Sequence, residues 1–288
     1  MNPVVLKFGG ELLEDVRRVA ALASTLAKLA KKKPLVPMVI VHGGGREIDA
    51  SLARAGIEKR QVDGLRITDE PTLEIVVSVL AGLVNTRFVA SLGAAGIQAV
   101  GLTGADAGVA RVKAAPPHKS TSGATVDLGR VGEPVGKDKP SLLIDLCRKG
   151  YVPVVSSIAA SRDGELFNVN ADTLAAHLAG RLKSPRLIIA GATAGVLARD
   201  GSTIADMTFG DVDALVASGG ATAGMVAKLA ACRSAIDNGA REVFVADGQD
   251  LAGLAVLARH GRAAGAGKST RIRDEKSAKS RKLRKRAS

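Results

Sequence analysis

The stretch MVIVHGGGREID, Met38 to Asp49, joins a short apolar run to three consecutive glycines and then to the start of a helical pattern. Where a strand delivers the chain into the first turn of a helix, backbone N–H groups lack partners and the helix dipole is positive, so the turn attracts anions. Glycine lets such a group reach the backbone itself. A single glycine satisfies a left-handed turn, so Gly43, Gly44 and Gly45 in succession point to a close approach by something else. A dinucleotide fingerprint is excluded, because Gly43-x-Gly45 would need glycine at position 48, which is Ile48.

A second, shorter version of the same arrangement precedes it. In VVLKFGGELLED, Gly9 and Gly10 follow an apolar run that carries Lys7. Two glycine turns from neighbouring strands would converge on one crevice. Further β-branched runs follow at Gln98 to Thr103, Tyr151 to Ser157, Arg186 to Gly191 and Glu242 to Gly248. Between most of them lie segments of helical period, such as Val16 to Leu29, where Val19, Leu22, Leu26 and Leu29 share a face. Strand and helix in alternation predict an α/β fold: a three-layer sandwich whose central sheet is mainly parallel and covered on both sides.

Composition agrees with that class. Apolar residues make up 46% of the chain but aromatics only 2%, so the core must be built from small aliphatic side chains packed in layers. With 288 residues, two lobes are expected, 1–183 and 184–266. Cys147 and Cys232 lie far apart in apolar patterns and no leader precedes Val4, which predicts a cytoplasmic protein without disulfides. No apolar run reaches the roughly 18 to 20 residues that span a bilayer, so no membrane contact is expected. The four histidines show no metal-ligand spacing, and no metal bound directly by the protein is expected.

The net charge of +13 is unevenly placed. Residues 267–288 hold ten Lys or Arg against Asp274 and Glu275, so +8 of the total belongs to the end of the chain. This segment is expected to be a disordered basic tail, with nucleic acid contact limited to weak, non-specific binding because it lacks aromatics for base stacking. The near-Walker sequence RAAGAGKST is rejected, since Arg262 stands where the first glycine belongs. The long apolar segment from Thr68, a candidate N-cap with Pro71 in the first turn, is expected to be either a central core helix or a subunit interface. Residues 113–140 read as hairpins or a loop insertion able to cover a site.

Five ordered motifs, VVLKFGGELL, MVIVHGGGREID, VDGLRITDEPTLEIV, FNVNADTLA and GMVAKLAA, resemble those of the amino acid kinase family over about residues 3 to 250. The resemblance implies transfer of the γ-phosphoryl group of ATP, with Mg2+ carried by the nucleotide, to the side-chain carboxylate of N-acetyl-L-glutamate in arginine biosynthesis. A related aminoadipate derivative as acceptor, or a non-catalytic sensor of an acidic amino acid, stays open. Position by position, Lys7 and Lys228 resemble the two lysines that stabilise the transferring group, and Asp172 the acid that organises them, although Asp172 also fits a helix N-cap. Gly44, Gly45, Arg66 and Asn168 match the substrate site, and Gly9, Gly10, Thr193, Gly195, Thr222 and Gly224 the nucleotide site. The sequence departs from the family where Ser or Thr followed by Asp is usual: here Gly191 and Ala192 stand instead. Strand one starts almost at Met1, so a homodimer without the N-terminal helix of arginine-inhibited hexamers is expected.

The residues read alone point the same way. A carboxylate acceptor is already ionised near neutral pH and needs no general base. The task is to bring two anions together in line, which lysines and backbone N–H groups do. Lys7 within an apolar strand would be an expensive buried charge without an anion to meet it.

Overall fold

The computed structural model describes residues 2–261 and 268–275. β1 (Val4–Phe8) passes through the Gly9–Gly10 turn towards α1 (Val16–Lys31), and β2 (Met38–His42) passes through the triglycine turn into α2 (Gly45–Arg54). A small hairpin, β3 (Gln61–Val62) and β4 (Leu65–Arg66), precedes one continuous helix. That helix consists of α3 (Glu70–Val77), a π-helical stretch (Ser78–Val84) and α4 (Asn85–Ala94). Then come β5 (Ala99–Thr103), β6 (Arg111–Ala114), β7 (His118–Lys119), β8 (Thr125–Val126) and β9 (Gly132–Val135). α5 (Ser141–Arg148), β10 (Val152–Ser156), β11 (Ile158–Ala160), β12 (Leu166–Asn168) and α6 (Ala171–Arg181) come next. β13 (Leu187–Gly191), β14 (Asp206–Thr208), α7 (Phe209–Ala217), α8 (Ala223–Asp237), β15 (Val243–Asp247), α9 (Leu251–His260) and β16 (Ser269–Arg273) end the described chain.

The main sheet has the order β14-β16-β15-β13-β1-β2-β10-β5, and every pairing in it is parallel except β15 with β16. All six predicted strands lie in it. β1, β2, β10 and β13 are buried at every position, as strands covered on both faces must be. Val5, Val39 and Val41 face α6 and α8, whereas Val4, Leu6, Phe8 and Ile40 face α1, α4 and α9. The architecture is therefore the expected three-layer α/β sandwich. Because side chains alternate along a strand, Lys7 points to the face of Val5, towards α6 and α8. That parity places a charge opposite two helices. In a separate four-stranded sheet, β12-β11-β6-β9, only β9 and the end of β6 come from the region read as an insertion, which also holds the β7–β8 hairpin.

α1 starts at its Asp15 N-cap, and Val19, Leu22, Leu26 and Leu29 are buried as the periodicity predicts. Three expectations need correction. The helix at residue 70 is capped by Asp69, whose carboxylate accepts from Thr72 N; Thr68 is buried and its hydroxyl donates to the Arg66 carbonyl instead. The helix Glu70–Ala94 is, by length and composition, apolar enough to cross a membrane, because the count of consecutive apolar residues overlooked how few charges it carries. Val76, Leu80, Val84, Phe88 and Leu92 nevertheless pack it into the protein core.

The basic end is the third correction. Ser269–Arg273 is not a disordered tail but a strand of the main sheet, seated between β15 and β14. Thr270 and Ile272 are buried, while Arg271 reaches Glu242 at 3.1 Å and Arg273 reaches Asp206 at 3.9 Å. Alternation with period two puts two side chains in the core and two guanidinium groups on carboxylates. The remainder of that expectation, residues 276–288 and Gly267, lies outside the described residues.

Candidate active site

Parallel strands leave the first turns of the helices after them at one edge of the sheet, and β1 and β2 are neighbours in register, Phe8 beside His42. Their glycine turns consequently meet. A Cβ built on Gly10 would lie 2.7 Å from Gly44 Cα and 2.8 Å from Gly45 N. Glycine at position 10 is thus demanded by the backbone of the other turn. Gly45 is different: nothing lies within 4 Å of where its Cβ would be, so the fold alone does not explain its lack of a side chain.

Lys7 is 7% exposed, and its Nζ lies 2.7 Å from Asp172 Oδ1. Asp172 stands in the first turn of α6, where Asn170 is the N-cap and accepts from the backbone N–H groups of Asp172 and Thr173. The capping role open to Asp172 in the sequence therefore belongs to Asn170. The other oxygen, Asp172 Oδ2, lies 3.4 Å from Lys228 Nζ on α8. Burial pushes the Asp172 carboxyl up, but the two ammonium groups outweigh it and hold the acid below its ordinary range. Asp172 thus stays ionised, and the triad Lys7–Asp172–Lys228 carries a net positive charge at the edge of a crevice.

A cavity of about 250 Å3 opens beside this triad. Lys7, Gly9, Gly10, Gly44, Gly45, Arg66, Asn168 and Asp172 line it, so it brings together eight of the sequence-predicted residues. Arg66, from β4, pairs with Asp49 on α2, while its Nη1 is buried without a hydrogen-bond partner among the described residues. A buried guanidinium donor without a partner is a costly group, and Arg66 is among the residues that line the cavity. Asn168 Nδ2 donates to Thr68 Oγ1 at 3.1 Å, and Thr68 in turn donates to the Arg66 carbonyl, so the two polar residues are tied together. The larger cavity of about 980 Å3, between α1 and α9, contains none of these groups.

Thr193, Gly195, Thr222 and Gly224 are not in the small cavity. They lie beyond β13 and at the start of α8, where Thr222 caps the helix through Met225 N. Gly195 has a positive φ of 81°, and a Cβ there would meet Thr270 of β16 at 2.6 Å, so packing against the last strand also demands glycine. Gly191 ends β13 close to the triad: a Cβ there would lie 3.3 Å from the Glu11 carboxylate and 3.8 Å from Lys228 Nζ. Glu11 lines the cavity, Asp49 pairs with Arg66, and His42 and Asn85 lie buried outside its lining; the sequence singled out none of them. A charge next to a glycine pair was the available sign for Glu11; for the others only the fold brings them in.

The sequence profile of the amino acid kinase family matches residues 2–247. The chain belongs to the amino acid kinase family. An acetylglutamate kinase of Brucella anthropi is 40% identical over 222 residues, which cover 75% of this chain and 73% of that protein. The acetylglutamate kinase of Brucella canis matches to the same extent. Among solved structures, the carbamate kinase of Giardia lamblia bound to AMP-PNP superposes with a TM-score of 0.67 at 15% identity, covering 95% of this chain and 98% of that one. The N-acetylglutamate synthase of Neisseria gonorrhoeae, complexed with coenzyme A and N-acetyl-glutamate, gives a TM-score of 0.77 at 22% identity. This chain is covered to 94%, yet it spans only 59% of the synthase. At such identities the likeness to these two structures concerns the fold.

Proposed function

We propose that this chain uses ATP to phosphorylate the side-chain carboxylate of N-acetyl-L-glutamate, producing an acyl phosphate and ADP, as a step of arginine biosynthesis. The observation that carries the reading is the Lys7–Asp172–Lys228 triad at the point where the two glycine turns meet. Identity of 40% to acetylglutamate kinases supports the choice of substrate.

In this reading a carboxylate oxygen of the acceptor attacks the γ-phosphorus, a new P–O bond forms, and the bond to the β–γ bridging oxygen breaks. ADP takes up the electron pair. No proton has to leave the acceptor, which agrees with a triad whose one acid is committed to two lysines. Arg66 holds the acceptor through a carboxylate and Asn168 through a polar group of the acyl-amino end. Gly44 and Gly45 offer backbone N–H groups to the acceptor. Lys7 and Lys228 bind the oxygens of the transferring group, where charge accumulates, and Asp172 keeps both amines in place. Gly9, Gly10, Thr193, Gly195, Thr222 and Gly224 form the nucleotide side.

Among the described residues no group of three or more His, Cys, Asp or Glu is placed to hold a metal ion, and both Asp172 oxygens are engaged by lysines. These residues do not fit a protein-held Mg2+ site, and the ion would travel on the phosphates. Residues 1–183 would serve the acceptor and 184–266 the nucleotide, on a sheet that runs through both by way of the β1–β13 pairing. A homodimer through residues 71–92 is supported by the most apolar window of the helix Glu70–Ala94, only 39% of which is buried within the chain. Two free buried cysteines fit a reducing cytoplasmic setting.

Gly191 and Ala192 favour a second reading, a sensor of acidic amino acids that has lost turnover. ATP-dependent hydroxamate formation with hydroxylamine separates the two. Product with N-acetyl-L-glutamate, exceeding that with N-acetylaminoadipate and aspartate and falling about 10²-fold in Lys228→Ala, is the expected result. Ligand binding without product from any of these acceptors would overturn it in favour of the sensor.

A further inference from the structure

His42 is fully buried at the end of β2, immediately before the triglycine turn, and the phosphoryl-transfer chemistry makes no use of it. Its ring is held from three sides. Asn85 Nδ2 lies 3.1 Å from His42 Nε2, the Gly43 carbonyl lies 3.2 Å from His42 Nδ1, and Phe88 meets the ring edge-on at 6.3 Å between centroids. The amide orientation of Asn85 is fixed independently. Its Nδ2 also faces the carbonyls of Val154 at 3.0 Å and Leu102 at 3.4 Å, and carbonyls only accept, so this atom is the donor. Position 101 is glycine because a side chain there would collide with the Asn85 amide oxygen.

Donor and acceptor accounting then decides the tautomer. Facing a donor, Nε2 must be the unprotonated, accepting nitrogen. A neutral ring therefore carries its proton on Nδ1, which donates to the Gly43 carbonyl. Protonating both nitrogens would set Nε2–H against the Asn85 N–H, and burial independently lowers the pKa of His42 to about 4. The peptide whose carbonyl is held is the one that joins Gly43 to Gly44. Its plane sets the direction of the Gly44 N–H. Glycine on both sides leaves this peptide few intrinsic restraints, so the hydrogen bond to the ring selects its orientation.

The π-helical stretch completes the arrangement. Leu80 and Val84 lie 3.0 and 3.2 Å from where a Cβ of Gly44 would be, so the same helix presses on the turn and, one residue later, supplies Asn85. π-Helical turns insert a residue and re-aim the side chains beyond it, often at functional sites.

We infer that Asn85 and His42 are positioning residues for the acyl-acceptor site: Asn85 holds the imidazole as the Nδ1–H tautomer, and that N–H fixes the Gly43–Gly44 peptide so that the turn presents its N–H groups to the acceptor carboxylate. The inference rests on the proposed reading for the identity of the acceptor, but its tautomer does not.

Two measurements test it. Nitrogen-15 NMR of the imidazoles in the intact protein at pH 7 is expected to show His42 neutral with the proton on Nδ1. An Nε2–H or doubly protonated ring overturns the inference whether or not any variant folds. In parallel, His42→Phe removes both polar nitrogens, whereas His42→Asn keeps a donor near the Nδ1 position. His42→Phe is expected to raise KM for N-acetyl-L-glutamate at least about 10-fold while leaving the Kd of a non-hydrolysable ATP analogue within about twofold, and His42→Asn to recover most of the loss. An unchanged KM in His42→Phe, or an equal rise in both variants, refutes the positioning role. A wild-type protein inactive on this acceptor would remove the proposed function and leave the tautomer result standing.

Discussion

Lys7 Nζ lies 2.7 Å from Asp172 Oδ1, closer than the 3.4 Å that separates Lys228 Nζ from the second oxygen of the same carboxylate. One buried acid thus faces two ammonium groups from opposite sides, and neither lysine has a second acidic partner among the described ion pairs. The asymmetry leaves Lys228 the looser member of the triad.

Replacing Asp172 by Asn would leave Lys7 as an uncompensated buried charge. Breaking a buried pair in this way costs about 3–5 kcal/mol. The folded pKa of Asp172 is depressed, so its contribution is present above the unfolded value near 3.9 and is lost as pH falls through the folded one. Urea unfolding at pH 7 should show the full gap between wild type and Asp172→Asn, and the gap should close at pH below about 4. A gap that is constant with pH would mean that the carboxylate charge is not what stabilises the site.

The two glycine turns give opposite expectations for the same substitution. Gly10→Ala must displace the backbone of Gly44 or Gly45, so both the melting temperature and activity should fall. Gly45→Ala meets open space at the first residue of α2, so stability should be unchanged or slightly raised. Any rise in KM for the acceptor in Gly45→Ala would then report crowding by the ligand itself. Equal destabilisation by both substitutions, read by calorimetry, would contradict this distinction.

Arg66→Ala removes a guanidinium from the lining of the cavity, together with its buried, unpartnered Nη1 donor. We expect KM for the acceptor to rise about 10- to 100-fold, with the Kd of the nucleotide analogue unaltered, because hydrogen bonds to charged groups contribute about 1.5–3 kcal/mol. Arg66→Lys should recover only part of this, since an ammonium cannot reproduce the planar fork. Initial-rate kinetics with each substrate varied in turn are the check.

His177, on α6, is half-buried, and desolvation together with the nearby Arg181 charge lowers its pKa to about 4. The unfolded chain takes up a proton near pH 6.5, which the folded chain refuses until about 4, so stability must decline as pH falls across that window. Denaturant midpoints at pH 7 and at pH 5 should therefore differ less in His177→Gln than in wild type.

Much of the frame could be read from residues close in sequence. Apolar β-branched runs identify six strands of the main sheet, and the heptad-like spacing from Val19 to Leu29 identifies α1, because burial on both faces or on one face leaves a local periodic trace. Lys7 stood out since a charge inside such a run contradicts its surroundings. The features that escaped depend on distant partners. Gly10 is glycine because Gly44 passes across it, a contact between turns that belong to different strands. His42 and Asn85 look like any polar residues until β2 and α4 are packed together. Ser269–Arg273 read as solvated charge because its two arginines find their acids, Glu242 and Asp206, only once the sheet has formed. The alternation of Thr270 and Ile272 with those arginines was too short to stand out against the basic residues around it.

The π-helical stretch Ser78–Val84 has a consequence for the changes this chain can tolerate as its sequence drifts. Each residue in an α-helix turns the chain by about 100°, so a residue gained beyond the one this stretch already accommodates would swing everything after it to another side. Asn85 and Phe88 would both leave the imidazole at once. Point changes along this helix can be absorbed gradually, whereas a one-codon insertion within it would disconnect the triglycine turn in a single event.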